Sequence, residues 1–233
     1  MASASETAPT SDRFGQLGPN RVRIGSVELD LGDLGTNSVD LYRPNTDARH
    51  PLVVFGTGLG SAQALARSTA VHLATWGFAV AVPNLSRNSN PIRGGRILSA
   101  VVNRLPASAP DLDPGRVAVA GHSFDGLSAT LAAQNERVRA LVAFDPNDNV
   151  LQGLPGRDGA DAVNAPALFV FGRRSLLNVR GPGIFEALGS EEKFSVRFPD
   201  VGHMDFVSRD DVPDSDEQRR TLSPATSFLL DRL

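Results

Sequence analysis

Val117-Ala118-Val119-Ala120-Gly121-His122-Ser123-Phe124-Asp125-Gly126 is an apolar run that passes through one glycine into a serine and then into helix-compatible residues. A strand that feeds straight into a Gly-bounded serine and then a helix must turn sharply. The turn strains the backbone at the serine and lifts its hydroxyl above the sheet. The small residue two positions before Ser123 lets neighbouring backbone approach. The helix behind it points its amino end at the same place, which favours developing negative charge. A helix-capping serine after a strand is the plainer reading of the same residues. The strand before and the helix after are the context that a nucleophile requires, and they make Ser123 the first candidate.

The pattern outward from this stretch repeats it. Residues 51–55, 78–82, 116–120, 138–144, 167–171 and 194–198 are short apolar runs of the kind buried on both faces of a parallel sheet. Residues 61–76, 96–105, 126–134, 183–188 and 221–230 have helical spacing. Residues 21–31 suggest a bent strand or hairpin and 38–42 another short strand. This alternation predicts an α/β fold, a mostly parallel sheet with helices on both faces. One domain is expected over residues 21–233, after a loose, flexible lead-in at 1–20. The longest gap between strands, 146–164, is too short for a sizeable lid. In such sheets ligands bind beyond the carboxyl ends of the strands.

Composition narrows the chemistry. The chain of 233 residues carries a net charge of -3 and has no cysteine. Thiol nucleophiles, disulfides and cysteine-held zinc are excluded together. No basic footprint for nucleic acid is present, and no stretch is long enough to span a membrane. Residues 1–13 lack the apolar core of a signal peptide. A cytoplasmic chain and a secreted one without its leader would read alike, and oligomeric state is not legible. The expected partner is a small or polymeric neutral molecule, and no cofactor or metal is called for.

A serine at its free pKa needs a base. The histidines are His50, His72, His122 and His203. Only His203 follows a late strand, in Phe198-Pro199-Asp200-Val201-Gly202-His203. His50 precedes a strand and is expected to be solvent-exposed. His72 falls within a helix as a packed or surface residue, and His122 is expected to line the site. A carboxylate should orient the base. Its usual strand end reads Gly172-Arg173-Arg174-Ser175 and offers none, whereas Asp145 ends the strand before it. Asp145 is therefore chosen, with Asp148 as the alternative. Oxyanion donors are expected from the Phe124 amide and from the loop Gly56-Thr57-Gly58-Leu59-Gly60-Ser61, with Leu59 supplying the second amide and Gly58, Gly60 and Ser61 lining the substrate site. That loop also invites a phosphate-binding reading, but it lacks the Lys-Ser/Thr end and the spacing of the known fingerprints.

The segments Gly58-Leu59-Gly60, 73–78, Gly121-His122-Ser123-Phe124, Ala143-Phe144-Asp145-Pro146 and Gly202-His203 resemble the platelet-activating-factor acetylhydrolase and chlorophyllase branch of the α/β-hydrolases. In layout they are also similar to cutinase-like polyester hydrolases. The resemblance spans residues 51–206 and implies an α/β-hydrolase fold and a carboxylic-ester hydrolase with an acyl-enzyme intermediate. It also implies an acid after the strand that follows the nucleophile helix, in agreement with Asp145, which stands 22 residues beyond Ser123 (145 − 123). Two other readings remain: a weakly active or non-catalytic ligand-binding protein of the same fold, and a lactone or peptide-bond hydrolase. Asp125 departs from the family, which has glycine there. A side chain at that point is expected to crowd the turn and to oppose the oxyanion, so that Asp125→Gly should raise turnover.

Overall fold

The structure is a computed structural model that describes residues 12–147, 159–174 and 181–233. Its strands are β1 (Val22–Asp30), β2 (Thr36–Pro44), β3 (His50–Gly56), β4 (Ala79–Pro83), β5 (Leu112–His122), β6 (Val138–Phe144), β7 (Ala167–Gly172) and β8 (Lys193–Phe198). Between and after them run α1 (Arg67–Thr75), α2 (Pro91–Ser108), α3 (Phe124–Ala132), α4 (Gly181–Ala187) and α5 (Asp216–Arg232). The strands form one sheet in the order β1-β2-β4-β3-β5-β6-β7-β8. Strand β2 is antiparallel to both its neighbours, and every other pair is parallel.

The apolar runs sort by parity, because alternate side chains of a strand face opposite sides. Leu52, Val54, Val117, Val119, Leu141, Ala143 and Phe169 pack with α2, α3 and Ile184 of α4. Val53, Phe55, Ala118, Ala120, Val142, Phe144 and Val170 pack with α1 and α5. Both faces are therefore covered, which is why these strands read as unbroken apolar runs.

Local signals fix the helix ends. Asn90 caps α2 by accepting from the Ile92 and Arg93 amides, with Pro91 in the first turn. Ser215 caps α5 by accepting from the Gln218 amide at 3.1 Å. Both helices start earlier than apolar spacing alone suggests, because their first turns are polar. The helix expected over 61–76 is split, with a 3-10 turn at Gln63–Ala66 leading into α1.

The lead-in differs from expectation. Residues 12–20 are not loose but lie against α1 and α5. Carbonyls at a helix end need donors. The Thr75 carbonyl receives the Asn20 amide at 3.1 Å and the Asn20 side chain at 2.9 Å. Trp76 Nε1 donates to the Gln16 carbonyl, and Phe14 meets the Trp76 ring edge-on at 5.1 Å. Residues 1–11 lie outside the described residues, as does most of the gap read as too short for a lid. No helix among the described residues is long and apolar enough to cross a membrane.

Strand order also positions the site. The chain leaves β3 for β4 on one side and returns to β5 on the other, so β3 and β5 flank a switch point. Their last paired residues are Gly56 and Gly121. From there the loop 57–61 and the turn at Ser123 diverge over the same crevice.

Candidate active site

Ser123 sits between β5 and α3 with φ 57° and ψ -126°. Such a backbone costs on the order of 1–3 kcal/mol and persists only where its surroundings hold it. Here the Ser123 amide donates to the Phe144 carbonyl at 2.9 Å. Its own carbonyl accepts from the amides of Gly126 (2.9 Å) and Asn147 (3.0 Å). Steric demand falls on the two glycines that bracket the turn. A Cβ on Gly121 would lie 2.1 Å from the Asp125 carbonyl oxygen, and one on Gly126 would lie 2.9 Å from Pro146 Cβ.

Three strand ends bring the polar groups together. Ser123 Oγ is 2.8 Å from His203 Nε2, and His203 Nδ1 is 2.5 Å from Asp145 Oδ2. With Nδ1 protonated toward the carboxylate, Nε2 is the acceptor for the serine hydroxyl. Asp145 is fully buried and has φ 44°. Its amide donates to the Val170 carbonyl at 2.7 Å, and its Oδ1 accepts the Gly172 amide at 3.1 Å. The end of β7, where the sequence offers no acid, thus supplies a donor to the acid from β6. Asp148 and Ser175 lie outside the described residues.

The loop that carries His203 is anchored from several directions. His122 Nε2 donates to the His203 carbonyl at 2.7 Å. Phe206 is buried against His122 and Phe144, with ring centroids 6.0 Å away in each case. Thr69 of α1 donates to the Phe206 carbonyl, and the Ser68 amide donates to that of Ser208. Asp205 accepts the Gly202 amide at 2.7 Å.

This placement corrects the expectation for His122. Its ring lies beneath the site, 2% exposed, and supports His203 instead of lining the open face. Burial, and then the charge of His203, lowers its pKa to about 4, so it serves as a neutral donor. His50 is also buried, with its ring nitrogens at Thr46 Oγ1 and the Gly77 carbonyl, against the expectation of an exposed residue. His72 is packed and meets Thr226 Oγ1 at 3.0 Å.

Across the crevice, Gly58 to Ser61 form a turn closed by the Ser61 amide on the Gly58 carbonyl at 3.1 Å. Gly58 has φ +108°, and a Cβ there would sit 3.5 Å from Ser123 Cβ. A side chain would be strained and would close on Ser123. The Gly58 amide is taken, donating to Asp125 Oδ2 at 2.8 Å. Among the described residues the Leu59 and Phe124 amides have no backbone partner. Leu59 is half exposed at the turn, with Gly60 and Ser61 following it.

Asp125 overturns the expectation of crowding. Its side chain fits where Gly56 has none, since a Cβ on Gly56 would lie 2.6 Å from Asp125 Cβ. Its carboxylate points beneath the loop, accepting from Gly58 and from Ser128 Oγ at 3.0 Å. Burial raises its pKa to about 6, and the Gly58 and Ser128 hydrogen bonds oppose that shift. Sequence reasoning missed this role, because only the fold brings Gly56 and Gly58 opposite Asp125.

Among the described residues no group of three or more His, Asp or Glu could hold a metal ion. The chain matches no family model and no curated protein.

Proposed function

We propose that the chain is a serine hydrolase of the α/β-hydrolase fold that cleaves carboxylic esters through an acyl-enzyme. The observation that carries this reading is the unbroken run of hydrogen bonds from Ser123 Oγ through His203 to Asp145. Its members occur in the chain order serine, acid, histidine, at the carboxyl ends of β5, β6 and β8.

Ser123 Oγ attacks the ester carbonyl carbon while His203 Nε2 takes its proton. Asp145 holds the resulting imidazolium. The Phe124 and Leu59 amides receive the negative charge that forms on the carbonyl oxygen. The carbon–oxygen bond to the alcohol then breaks, and His203 returns the proton to the leaving oxygen. Water, deprotonated by His203, attacks the acyl group and frees the acid and Ser123. Leu59 and Met204, both about half exposed, offer apolar surface to the acyl or alkyl group.

The test is a panel of p-nitrophenyl esters of varied acyl length, run beside fluorophosphonate labelling. Turnover and labelling that both vanish in Ser123→Ala support the reading. Ester turnover that survives that substitution, with contaminants excluded, would falsify it.

A further inference from the structure

Asp125 is 1% exposed and has no cationic partner among its hydrogen bonds. A buried carboxylate is costly unless its hydrogen bonds compensate. As a residue in the first turn of α3 it could serve that helix. Its oxygens instead accept from Ser128 Oγ and from Gly58, a residue 67 positions away in the loop after β3. That loop contains two glycines with positive φ, Gly58 and Gly60, and the hydroxyl of its buried Thr57 turns back on the loop's own Ser61 carbonyl. One charge-assisted hydrogen bond can therefore decide where it sits.

We propose that Asp125 is a positioning residue whose buried carboxylate, by accepting the Gly58 N–H, holds the loop so that the Leu59 N–H faces the oxyanion formed at Ser123. The inference rests on the serine-hydrolase reading. It assigns opposite duties to adjacent amides: Gly58 is spent on anchorage, and Leu59 is left for substrate. The groups that meet the carboxylate, Gly56, Gly58 and Ser128, are all neutral. Burial brings its pKa to about 6, so at neutral pH the stronger acceptor, the carboxylate, is the form present.

The experiment compares wild type, Asp125→Ala and Asp125→Asn in the full chain. It measures p-nitrophenyl acetate kinetics and hydrogen exchange of the Gly58 amide. Loss of one oxyanion donor costs about 10²–10³ in kcat. Displacing one should cost Asp125→Ala about ten- to a hundredfold in kcat, with KM changed by less than about threefold, as for an interaction made in the transition state. Exchange at Gly58 should speed up in the same variant. Asparagine keeps an acceptor for Gly58 and should restore most of kcat. A slow Gly58 amide in Asp125→Ala, or an unchanged kcat despite fast exchange, overturns the proposal. If the alanine variant does not fold, Asp125→Asn decides through the Gly58 amide resonance, which should titrate near pH 6 in wild type and not in the variant. A resonance that does not titrate in wild type overturns the clamp. Wild type that neither turns over nor labels sinks the hydrolase reading and the catalytic purpose of the clamp with it. Wild type that labels at Ser123 beside an equally active Asp125→Ala sinks the clamp alone.

Discussion

The two loops that meet over Ser123 are held in opposite ways. The loop bearing His203 is fastened by a buried aromatic ring, by the His122 side chain, by two residues of α1 and by its own turn. The loop bearing Leu59 has a tight turn, the buried Thr57 hydroxyl donating to its own Ser61 carbonyl, and a hydrogen bond to one buried carboxylate. In the proposed mechanism the difference follows from what each must place. A base needs a side chain aimed at two partners at once, whereas an oxyanion donor is a backbone group, set once the chain around it is set. Redundant support on one side and sparser support on the other predict unequal responses to substitution.

The largest effects are expected at the groups that react in the proposed mechanism. Ser123→Ala and His203→Ala should each lower kcat by about 10⁴–10⁶-fold, as removal of a triad member does. His72→Gln should leave kcat near wild type, and kinetics of the three variants side by side check the ranking. Asp145→Asn should keep the fold and cost about 10²–10⁴-fold. Circular dichroism and kcat on the same sample test this, and a loss below about tenfold would move the acid elsewhere.

The comparison is sharpened by His122→Phe, which keeps ring packing and removes the donor to the His203 carbonyl. One neutral hydrogen bond is worth about 1 kcal/mol, or roughly a fivefold loss of kcat. Because the other anchors remain, the loss should be smaller than that of Asp125→Ala. A reversed order in parallel assays would show that the His203 loop is the weakly held one.

The smallest effect concerns stability alone. Burial lowers the pKa of His72 to about 4 from an ordinary value of 6.5. Protons then bind the unfolded chain more readily, so this group's share of stability is intact above about pH 6.5 and is lost as pH falls toward 4. His122 acts with the same sign. Asp125, with its pKa raised to about 6, acts with the opposite sign between its ordinary value of 3.8 and 6. Thermal midpoints should fall from pH 6.5 to 4 in wild type and fall less steeply in His72→Gln. Equal slopes would show that His72 is not buried as a neutral ring.

Much of this arrangement was legible in the sequence, because the signals for strand, turn and helix are local. The run from Val117 to Gly126 set the strand, turn and helix, and the missing acid after β7 directed attention to Asp145. What escaped depends on residues far apart in the chain. The hydrogen bond between Asp125 and Gly58 spans two strands and a helix pair, and the donation from His122 to His203 crosses 81 positions. Charge and size alone made Asp125 look like an intruder, because the space that receives it is left by Gly56 at the end of β3. The early starts of α2 and α5 were hidden for a simpler reason: their caps, Asn90 and Ser215, precede polar first turns.

The most direct test of the relay is to trap its covalent intermediate. The protein is mixed with p-nitrophenyl acetate, quenched in acid and digested, and the acetylated peptide is sequenced by mass spectrometry. Acetyl is expected on Ser123, accumulating with the burst of p-nitrophenol and absent from Ser123→Ala and His203→Ala. Acetyl on another residue that turns over at the rate of hydrolysis, or hydrolysis with no acyl-enzyme at Ser123, would contradict the relay.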